Sequence, residues 1–590
     1  MFKRTANVLR PHLRNLHTQA AGATRAARGN AVALTVASGA AAGAALWYNT
    51  ETVHNDAIQI MPHVQPATAK AAGSSAETDP DVLHSMIWGS NEAKLLSPES
   101  PDKVSHRVPT IAHWLDNVAL RDLKLGKKTG ACIDARGDVY QWGEGFFGEI
   151  LENVSRPKST LRGKNIVQLQ LTDEKLYALS ASGKIYVLAT DAFAQALPTG
   201  APTPASDSWW GTGWLWGEDE NIDFAEVTPA ESLGWRESFT SIAAGKNHLL
   251  ALTSSGRVFA HPVNKKANQW GQLGFRKFSI PDPASSLTNS KAHIHVELIP
   301  KSFTDPFAKE TRDAVIDGTV VSGDLSKIDD SSIRFCPNLF EIPVLKGVNV
   351  AQIAAGARTS FARTKEGRVL GWGANEYGQI GLGGSVVVDS ITVPTEVVLW
   401  RLTERGTKTK CLDVTAGGDL TAFVVERNKE HRPTTTDLLM CGNGQYGGLG
   451  NNTYSSGQSA PSRVRGISGL LQYSDKLHGL TPVTPEEISI SPDGHVIMAL
   501  NSSEDSHGVG GRDVMVWGKN YGHELGNGKK ASSAVPINLE GPDGSRLMLM
   551  SRKAKQVKDL QGQVWKKGVK VEQRALAGDG SSVVYWKIVD

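Results

Sequence analysis

The sequence predicts an all-β protein, a seven-bladed β-propeller whose ring closes by pairing of its N- and C-terminal strands. Three observations support this prediction. A phrase of about two strands and a glycine turn recurs along the chain, the 60 glycines are spread rather than clustered, and the two ends carry complementary halves of the phrase. Multi-strand repeats of several tens of residues indicate blades.

Residues 1–30 precede the propeller and have the composition of a mitochondrial presequence. The first 50 residues hold six basic side chains and no acidic one, and residues 1–30 are rich in Ala, Arg and hydroxylated residues. Arg-rich, acid-free amphipathic segments are typical of import signals. We therefore expect a mitochondrial protein.

Residues 31–48 form a candidate transmembrane helix, uncharged over 18 residues and ended by Trp47 and Tyr48. This length is near the lower limit for a bilayer about 30 Å thick, and terminal aromatics suit its interface. Gly39 and Gly43 form a G-x-x-x-G motif that allows close helix packing in lipid. The alternative is the tail of a cleaved matrix presequence.

Residues 49–80 are polar and are predicted to be a linker. With positive charge before the candidate helix and Glu51 and Asp56 after it, retention of positive charge in the matrix would place the propeller in the intermembrane space. The expected location is the mitochondrial inner membrane. The matrix is the alternative side for the propeller.

The propeller is assigned to residues 81–590, and its clearest repeats are SIAAGKNHLLALTSSGRVFAHP at 241–262 and QIAAGARTSFARTKEGRVLGWG at 352–373. The apolar run predicts a buried strand, the following Gly a tight turn with positive φ, and the Gly of Ala-Ala-Gly a close strand approach. The Trp-Gly phrase ends the next strand. The repeat positions singled out are Gly245, His248, Gly256, Gly356, Gly367, Trp372, Gly373, Gly417, Trp517, Gly518 and Gly578.

The chain ends predict closure of the ring. Residues 575–590 contain the first half of a repeat, and residues 81–96 contain the second half with its Trp-Gly. Six complete units and this composite one make seven. Pairing the halves would leave no open sheet edge.

Two inserts and one basic tract are candidate binding surfaces. The first insert, about 191–237, contains Trp209, Trp210, Trp214 and Trp216, which can anchor a partner or pack against the propeller itself. The second, about 276–345, is polar. Residues 552–570 carry a basic patch that can face solvent, RNA or acidic lipid, formed by Arg552, Lys553, Lys555, Lys558, Lys566, Lys567 and Lys570.

Composition and motifs argue against several classes of function. Without the N-terminal cations the chain has 57 basic and 60 acidic residues, so nucleic-acid binding by the body is not expected. The four cysteines have no C-x-x-C spacing and are expected to be buried single thiols in strands. Phosphate-binding, zinc-protease and serine-hydrolase motifs are absent from the sequence. We expect neither an enzyme nor a cofactor.

The repeated phrases resemble the regulator of chromosome condensation repeat, a family of seven-bladed propellers, most clearly at 239–274 and 350–384. Leu188-Ala189 and Cys441-Gly442 depart from its Trp-Gly pattern. In this family a histidine at the place of His248 is common, and a hydrogen bond within the blade is its simplest role. The layout also resembles fungal mitochondrial members linked to assembly of the respiratory cytochrome bc complex.

The resemblance implies three functions that remain open at this point. The first is a non-enzymatic inner-membrane scaffold or assembly factor, with subunits or assembly factors of respiratory complex III as its protein partner. The second is a guanine-nucleotide exchange factor for a mitochondrial GTPase, although no wedge residue transfers from the family. The third is a mitochondrial ribosome- or RNA-associated factor, which only the basic tract supports.

Overall fold

The computed structural model describes residues 82–100, 103–148, 156–197, 222–281, 293–303, 314–316, 319–321, 329–384, 388–401, 403–474, 477–501 and 511–589. The chain divides into two units, Met1–Glu77 and Thr78–Asp590, and every described residue belongs to the second. The predicted presequence, transmembrane helix with Gly39 and Gly43, and linker lie outside the described residues, as do Trp209, Trp210, Trp214 and Trp216.

The described part of the chain is built from β-strands. The first are β1 (Met86–Gly89), β2 (His106–Ile111), β3 (Asp122–Leu125), β4 (Gly130–Ile133), β5 (Val139–Trp142), β6 (Lys158–Leu161), β7 (Ile166–Leu171), β8 (Lys175–Ser180), β9 (Ile185–Ala189), β10 (Ala225–Pro229), β11 (Phe239–Ala244), β12 (His248–Thr253) and β13 (Val258–Pro262). They continue as β14 (Lys277–Pro281), β15 (His293–Ile299), β16 (Ala314–Ile316), β17 (Thr319–Val321), β18 (Asn338–Glu341), β19 (Val350–Ala355), β20 (Thr359–Thr364), β21 (Val369–Ala374), β22 (Ser390–Glu396), β23 (Lys408–Gly417) and β24 (Leu420–Asn428). The last are β25 (Thr435–Gly444), β26 (Ser455–Arg463), β27 (Leu471–Ser474), β28 (Gly479–Pro482), β29 (Thr484–Ile490), β30 (His495–Asn501), β31 (Arg512–Gly518), β32 (Ser533–Asn538), β33 (Met548–Leu549), β34 (Ser551–Lys558), β35 (Val564–Ala577) and β36 (Ser581–Ile588).

Helix is confined, in these ranges, to the one-turn α1 (Glu144–Phe147) and the 3-10 turns His113–Leu115, Lys301–Phe303 and Pro343–Leu345. None of these is long and apolar enough to cross a membrane. The predicted all-β class is confirmed.

The strands pair into antiparallel sets of four. Within each set the strands are named in the order of their hydrogen bonding, beginning with the first strand. The sets are set 1 (β3, β4, β5, β6), set 2 (β7, β8, β9, β10), set 3 (β11, β12, β13, β18), set 4 (β19, β20, β21, β22), set 5 (β23, β24, β25, β26), set 6 (β29, β30, β31, β32) and set 7 (β35, β36, β1, β2). A short parallel pairing of β10 with β18 joins sets 2 and 3 into one sheet. Consecutive antiparallel strands of this kind give a propeller-like fold.

Set 7 is composed of both ends of the described chain. Strand β1 pairs antiparallel with β36, from Met86 opposite Val584 to Gly89 opposite Ser581. Strand β34 extends this sheet beyond β35, and β33 pairs with β31 at the edge of set 6. N-terminal and C-terminal strands therefore share one hydrogen-bonded sheet.

The two predicted inserts contain several of the strands. Strand β10 lies in the range of the first insert, and β14 to β18 lie in the range of the second. Strands β14, β15, β17 and β16 form a separate four-stranded sheet, whereas β10 and β18 belong to sets 2 and 3. A further two-stranded hairpin, β27 with β28, follows set 5.

The hydrophobic core lies between neighbouring sets rather than at one centre. One cluster joins Trp88 and Val584 of set 7 to Ile497 and Val516 of set 6. The middle strands are buried along their length, as in β12, where all six residues are buried. Strands buried on both faces explain why the repeats have continuous apolar runs instead of an alternating pattern.

Candidate functional site

The first strands of all seven sets line a common cavity of about 920 Å³. Each first strand also contacts the next in the cyclic order β3, β7, β11, β19, β23, β29, β35 and back to β3. Gly245, Gly356 and Gly417, singled out from the sequence, are among its lining residues. Four lysines and two aspartates also line it, namely Lys124, Lys127, Lys128, Lys246, Asp173 and Asp579.

The lining glycines stand where adjacent sets come closest. A Cβ on Gly245 would lie 2.5 Å from the carbonyl oxygen of Gly356, one set further on. A Cβ on Gly417 would lie 2.2 Å from the carbonyl oxygen of Ile490, and one on Gly578 would lie 2.6 Å from the Leu125 Cβ. Such distances exclude any side chain without backbone movement.

The turn glycines of the repeat meet the next set in a different way. Gly256 has φ +90° and Gly367 has φ +86°, which L-residues rarely adopt. A Cβ on Gly256 would lie 2.7 Å from the Asn349 Oδ1, and one on Gly367 would lie 2.4 Å from the Lys410 Cγ. Both the backbone conformation and the neighbouring set therefore require glycine.

The tryptophans of the Trp-Gly phrase join one set to the preceding one. The fully buried Trp372 of set 4 donates its indole N–H, at 2.8 Å, to the carbonyl oxygen of Gln272, in the segment after β13 of set 3. Trp517 donates to the Gly448 carbonyl oxygen at 2.8 Å in the same manner. Across the chain ends, Trp88 donates to the Glu524 carbonyl oxygen at 2.7 Å.

The glycines that follow these tryptophans pass directly over the preceding strand. Gly373 has φ +108° and Gly518 has φ +99°. A Cβ on Gly373 would lie 2.4 Å from the Arg358 carbonyl oxygen, and one on Gly518 would lie 2.3 Å from the Gly494 carbonyl oxygen. The dipeptide thus combines an inter-set hydrogen bond with a backbone position that only glycine fits.

Departures from Trp-Gly use weaker donors at the same place. The Cys441 thiol of set 5 contacts the Gln379 carbonyl oxygen at 3.4 Å, where an indole would otherwise donate. In set 3, His261-Pro262 occupies the position, and the His261 Nε2 lies 3.2 Å from the Tyr177 hydroxyl of set 2. Leu188 in set 2 offers no polar atom.

The prediction of a hydrogen bond within the blade for His248 was wrong. Its Nε2 lies 2.8 Å from the Ser360 hydroxyl, which belongs to set 4 and donates to the Gln272 carbonyl oxygen at 2.8 Å. Because that hydroxyl proton is already used, the histidine Nε2 carries a proton and donates. Burial lowers the pKa of His248 to about 4, so the ring is neutral.

The sequence analysis did not single out the arrangement of Ser582, His495 and Asp493. The His495 Nε2 lies 3.1 Å from the Ser582 hydroxyl, and its Nδ1 lies 3.2 Å from the Asp493 carboxylate. The fully buried Ser582 donates its proton to the Glu524 carbonyl oxygen at 3.0 Å. The hydroxyl is therefore a link between sets rather than an activated nucleophile, despite its likeness to a hydrolase triad.

Asp493 belongs to the same network. Burial alone would raise its pKa, but the hydrogen bond from His495 and the ion pair with Lys519 at 2.8 Å hold the pKa well below its usual value. The carboxylate is thus charged and fixed between two strands of set 6. Its repeat position, beside the turn Gly494, could have been found from the Ser-Pro-Asp-Gly-His sequence.

The cysteines have no site chemistry in the described ranges. All four are free and buried, and burial raises the pKa of each thiol. Cys132, Cys411 and Cys441 lie in strands as predicted, whereas Cys336 precedes β18. Among described residues, no group of three or more His, Cys, Asp or Glu could hold a metal ion.

The basic tract forms the hairpin of β34 and β35. Lys553 lies opposite Lys570, and both are exposed, as are Lys555, Lys566 and Lys567. Arg552 is different, because its guanidinium stacks 4.8 Å above the Trp586 ring and donates to the Val82 carbonyl oxygen. The backbone N–H of the half-buried Lys558 donates to the Asn117 carbonyl oxygen at 2.9 Å.

Comparison with known proteins agrees with this geometry. Two family models, both described as Regulator of chromosome condensation (RCC1) repeat, match residues 350–379 and 366–424. Residues 350–424 therefore match the RCC1 repeat. The matched RCC1 segment runs from β19 into β24 and includes Trp372 with its inter-set hydrogen bond.

Two relatives with RCC1-like similarity are mitochondrial proteins. The chain is 22% identical to Protein FMP25, mitochondrial, of Saccharomyces cerevisiae over 497 residues, which cover 82% of this chain and 70% of that protein. It is 23% identical to RCC1 domain-containing protein RUG3, mitochondrial, of Arabidopsis thaliana over 383 residues, 64% of this chain and 65% of that protein. These similarities support a mitochondrial RCC1-like protein, in agreement with the N-terminal composition.

A solved structure supports the RCC1-like fold. Prp20p of Saccharomyces cerevisiae, whose crystal structure was described together with its binding to Gsp1p and histones, superimposes with a TM-score of 0.50. The superposition covers 87% of this chain and 93% of that one at 16% sequence identity. At this identity the likeness concerns the fold alone.

Proposed function

We propose that this chain is a non-enzymatic mitochondrial scaffold, a closed seven-bladed ring anchored in the inner membrane that holds a protein partner. The partner we propose is a subunit or assembly factor of respiratory complex III. The observation that carries the proposal is the series of hydrogen bonds between neighbouring sets. These bonds use the buried polar groups to hold the sets in one fixed arrangement.

Closure of the ring is supported by two kinds of contact. Each of the seven first strands touches its neighbours in a complete cycle, and the cycle includes β35 beside β3. The indole bonds of Trp88 and Trp142 connect set 7 to sets 6 and 1. Seven sets joined in this way would cover the apolar faces by which neighbouring sets pack.

The hydrogen bonds of the buried serines and histidines of the repeat support a binding function rather than a catalytic one. Ser360 and Ser582 donate to carbonyl oxygens, and His248 and His495 contact those same hydroxyls. A buried group committed in this way rigidifies the fold and is not accessible to a substrate. The loops and inserts then supply the surfaces by which a partner is recognised.

Location and partner are proposed from the sequence and the family resemblance. Residues 31–48 would anchor the ring, with the intermembrane space as its proposed side. Trp209, Trp210, Trp214 and Trp216 would anchor the partner, because clustered tryptophans carry much of the binding energy at interfaces.

The test uses the full chain, tagged and expressed in a strain that lacks it. Complex III should accumulate poorly on native gels in the deletion strain and should recover with the wild-type chain. A variant with alanine at the four tryptophans should fail to recover it, whereas a Trp235→Ala, Trp400→Ala control, altered at exposed tryptophans outside the cluster, should succeed. Normal complex III without the protein would refute the scaffold proposal.

The anchor is tested separately. The full chain should stay in the membrane pellet after carbonate extraction, and a chain without residues 31–48 behind a retained import signal should enter the supernatant. Release of the full chain would refute the anchor. If the propeller resisted protease in mitoplasts, it would lie on the matrix side of the inner membrane, and the proposed orientation would be refuted.

Exchange on a GTPase is the second candidate function, favoured by the fold shared with Prp20p. Mild detergent extraction followed by affinity purification separates the candidates. Recovery of complex III subunits supports the scaffold, and recovery of a GTPase whose nucleotide release is accelerated supports exchange. Recovery of mitochondrial ribosomes would instead assign a role to the exposed lysines of the β34–β35 hairpin.

A further inference from the structure

A second cavity of about 780 Å³ lies away from the first strands, between sets 4 and 5. It is lined by residues 381–384 after β21, by the turn joining β24 to β25, and by the end of β26. Before β23 its lining residues are Val398, Leu399, Arg401, Thr403, Glu404 and Thr407. Its volume is within the range of small-molecule pockets, about 300–1,000 Å³. We call it the inter-set pocket.

Part of the lining of the inter-set pocket is hydrophobic, and we call this part the apolar wall. Leu399 and Leu439 are buried in the cluster between the two sets, and Leu382 packs against it. Val398 and Pro461 complete this wall. These side chains can receive a hydrocarbon body but offer it no hydrogen bonds.

Another part of the lining is strongly cationic. It contains Arg401, Arg427, Lys429, Arg432 and Arg463. The carboxylates paired with them are those of Glu404 and Asp437. Five cations against two carboxylates leave a local charge of +3.

The two carboxylates hold the cations in place without neutralising them. The fully buried Asp437 pairs with Arg427 and, at 2.8 Å, with Arg463. Glu404 pairs with Lys429 and, at 3.3 Å, with Arg432. Each acid is therefore shared by two bases, so one positive charge per acid remains for an incoming anion.

Arg401 supplies the fifth cation and lies over a glycine. Gly383 has φ +91°, and a Cβ there would lie 2.6 Å from the Arg401 Nη1. The chain after β21 of set 4 therefore leaves room for the Arg401 guanidinium at the pocket. A planar guanidinium can bind a carboxylate or phosphate with two parallel hydrogen bonds.

We propose that the inter-set pocket binds a small amphipathic anion, a free carboxylate or phosphate ester with a hydrocarbon body of about ten carbons. The charged head would meet Arg401 and Arg432, and the body would lie on the apolar wall. This proposal is independent of the scaffold function and of the partner.

The test is calorimetric titration of the purified chain with decanoate and with decyl phosphate, both below their micelle concentrations. Saturable binding at one site is expected. Arg401→Gln combined with Arg432→Gln should weaken it about tenfold or more, because both charged donors to the anion are lost. Arg546→Gln is the matched control, since this half-exposed arginine pairs with Asp513 far from the pocket.

The head and body are tested with two further ligands. Inorganic phosphate should bind much more weakly than decyl phosphate, and decyl glucoside, which lacks charge, should not compete. Equal binding of decyl glucoside, or the absence of saturable binding by either anion, would overturn the proposal. Thermal melts of both variants exclude unfolding as the cause of any loss.

The source of the anion is tested with vesicles. Flotation with phosphatidylcholine vesicles containing phosphatidylglycerol should not depend on Arg401 and Arg432, since the proposed ligand is free in solution. Binding restricted to such vesicles and lost in the double variant would overturn the free ligand and assign the pocket to a lipid headgroup.

Discussion

The indole N–H of Trp372 in set 4 donates to the carbonyl oxygen of Gln272, in the segment after β13 of set 3. The acceptor residue Gln272 is buried. We expect Trp372→Phe to lower the free energy of unfolding by about 2 kcal/mol or more, through the lost hydrogen bond and the smaller ring. Urea denaturation measures this change. Trp235→Phe, at an 86% exposed residue, should stay within about 0.5 kcal/mol of wild type. Equal stability of the two variants would mean that the indole bond contributes nothing.

Two buried histidines predict a loss of stability in acid. Burial lowers the pKa of His248 and of His261 from 6.5 to about 4. The unfolded chain therefore binds protons first as pH falls, and the free energy of unfolding decreases between about pH 6.5 and 4. The full effect of each shift is about 3 kcal/mol. His248→Gln should lose less stability between pH 7 and 4.5 than wild type.

The comparison for this pH effect is His293→Gln, at an exposed residue of β15. This variant should reproduce the wild-type pH profile of unfolding, measured by denaturation at each pH. An unchanged profile in His248→Gln would show that this ring contributes no proton-linked stability. A change in both variants would assign the effect to the overall charge.

At the residue scale, local geometry could be predicted from the sequence better than partners. The Ser-Gly and Glu-Gly turns predicted positive φ at Gly256 and Gly367, and both have it. The partner of His248 could not be inferred, because Ser360 lies 112 residues later and in another set. Sequence spacing describes one strand and its turn, whereas this hydrogen bond depends on how two sets pack.

At the scale of elements, the Gly of each Ala-Ala-Gly sets the separation of adjacent first strands. A Cβ on Gly356 would lie 2.5 Å from the Thr359 Oγ1 and 3.0 Å from the Gly418 carbonyl oxygen. Gly356→Val should therefore cost more than about 2 kcal/mol of unfolding free energy, measured in urea. Gly479→Ala in β28 is the control, since a Cβ there would lie 3.7 Å from its nearest neighbour, the Leu477 carbonyl oxygen. A tolerated valine would refute the close approach.

A strand that joins its set from far along the chain is the hardest element to predict from the sequence. Strand β18 pairs with β13 after a separation that contains the whole β14–β17 sheet. Its sequence, Asn338–Glu341, has no repeat phrase and lies in the range predicted as an insert. The fourth strand of a set does not line the cavity, so its sequence differs from one set to another. The glycines and the Trp-Gly phrase that identify the repeat therefore lie in or beside the first and third strands.

At the scale of the whole molecule, the matching halves at the two ends are the feature that predicted a long-range contact correctly. Strand β1 lies beside β36, and Trp88 reaches the loop after β31. The reason is physical: an isolated half-sheet would expose unpaired backbone groups, so each half needs the other. The N-terminal segments contain no such complementary partner, and their proposed roles rest on composition.

Ring closure can be tested by shortening the C-terminus. Removing residues 571–590 deletes β36 and half of β35. Strand β1 then keeps only β2 as a partner, and Trp88 loses the strand beside it. We expect aggregation or a broad, non-cooperative thermal transition instead of a local defect, because the apolar faces of sets 6 and 1 that pack against set 7 would be exposed. The control ends at Val589, keeps all of β36, and should melt like the full chain. If the chain lacking 571–590 retained the solubility and cooperative melting of that control, the two ends would not hold the fold together, and the closed ring on which the scaffold proposal depends would have to be abandoned.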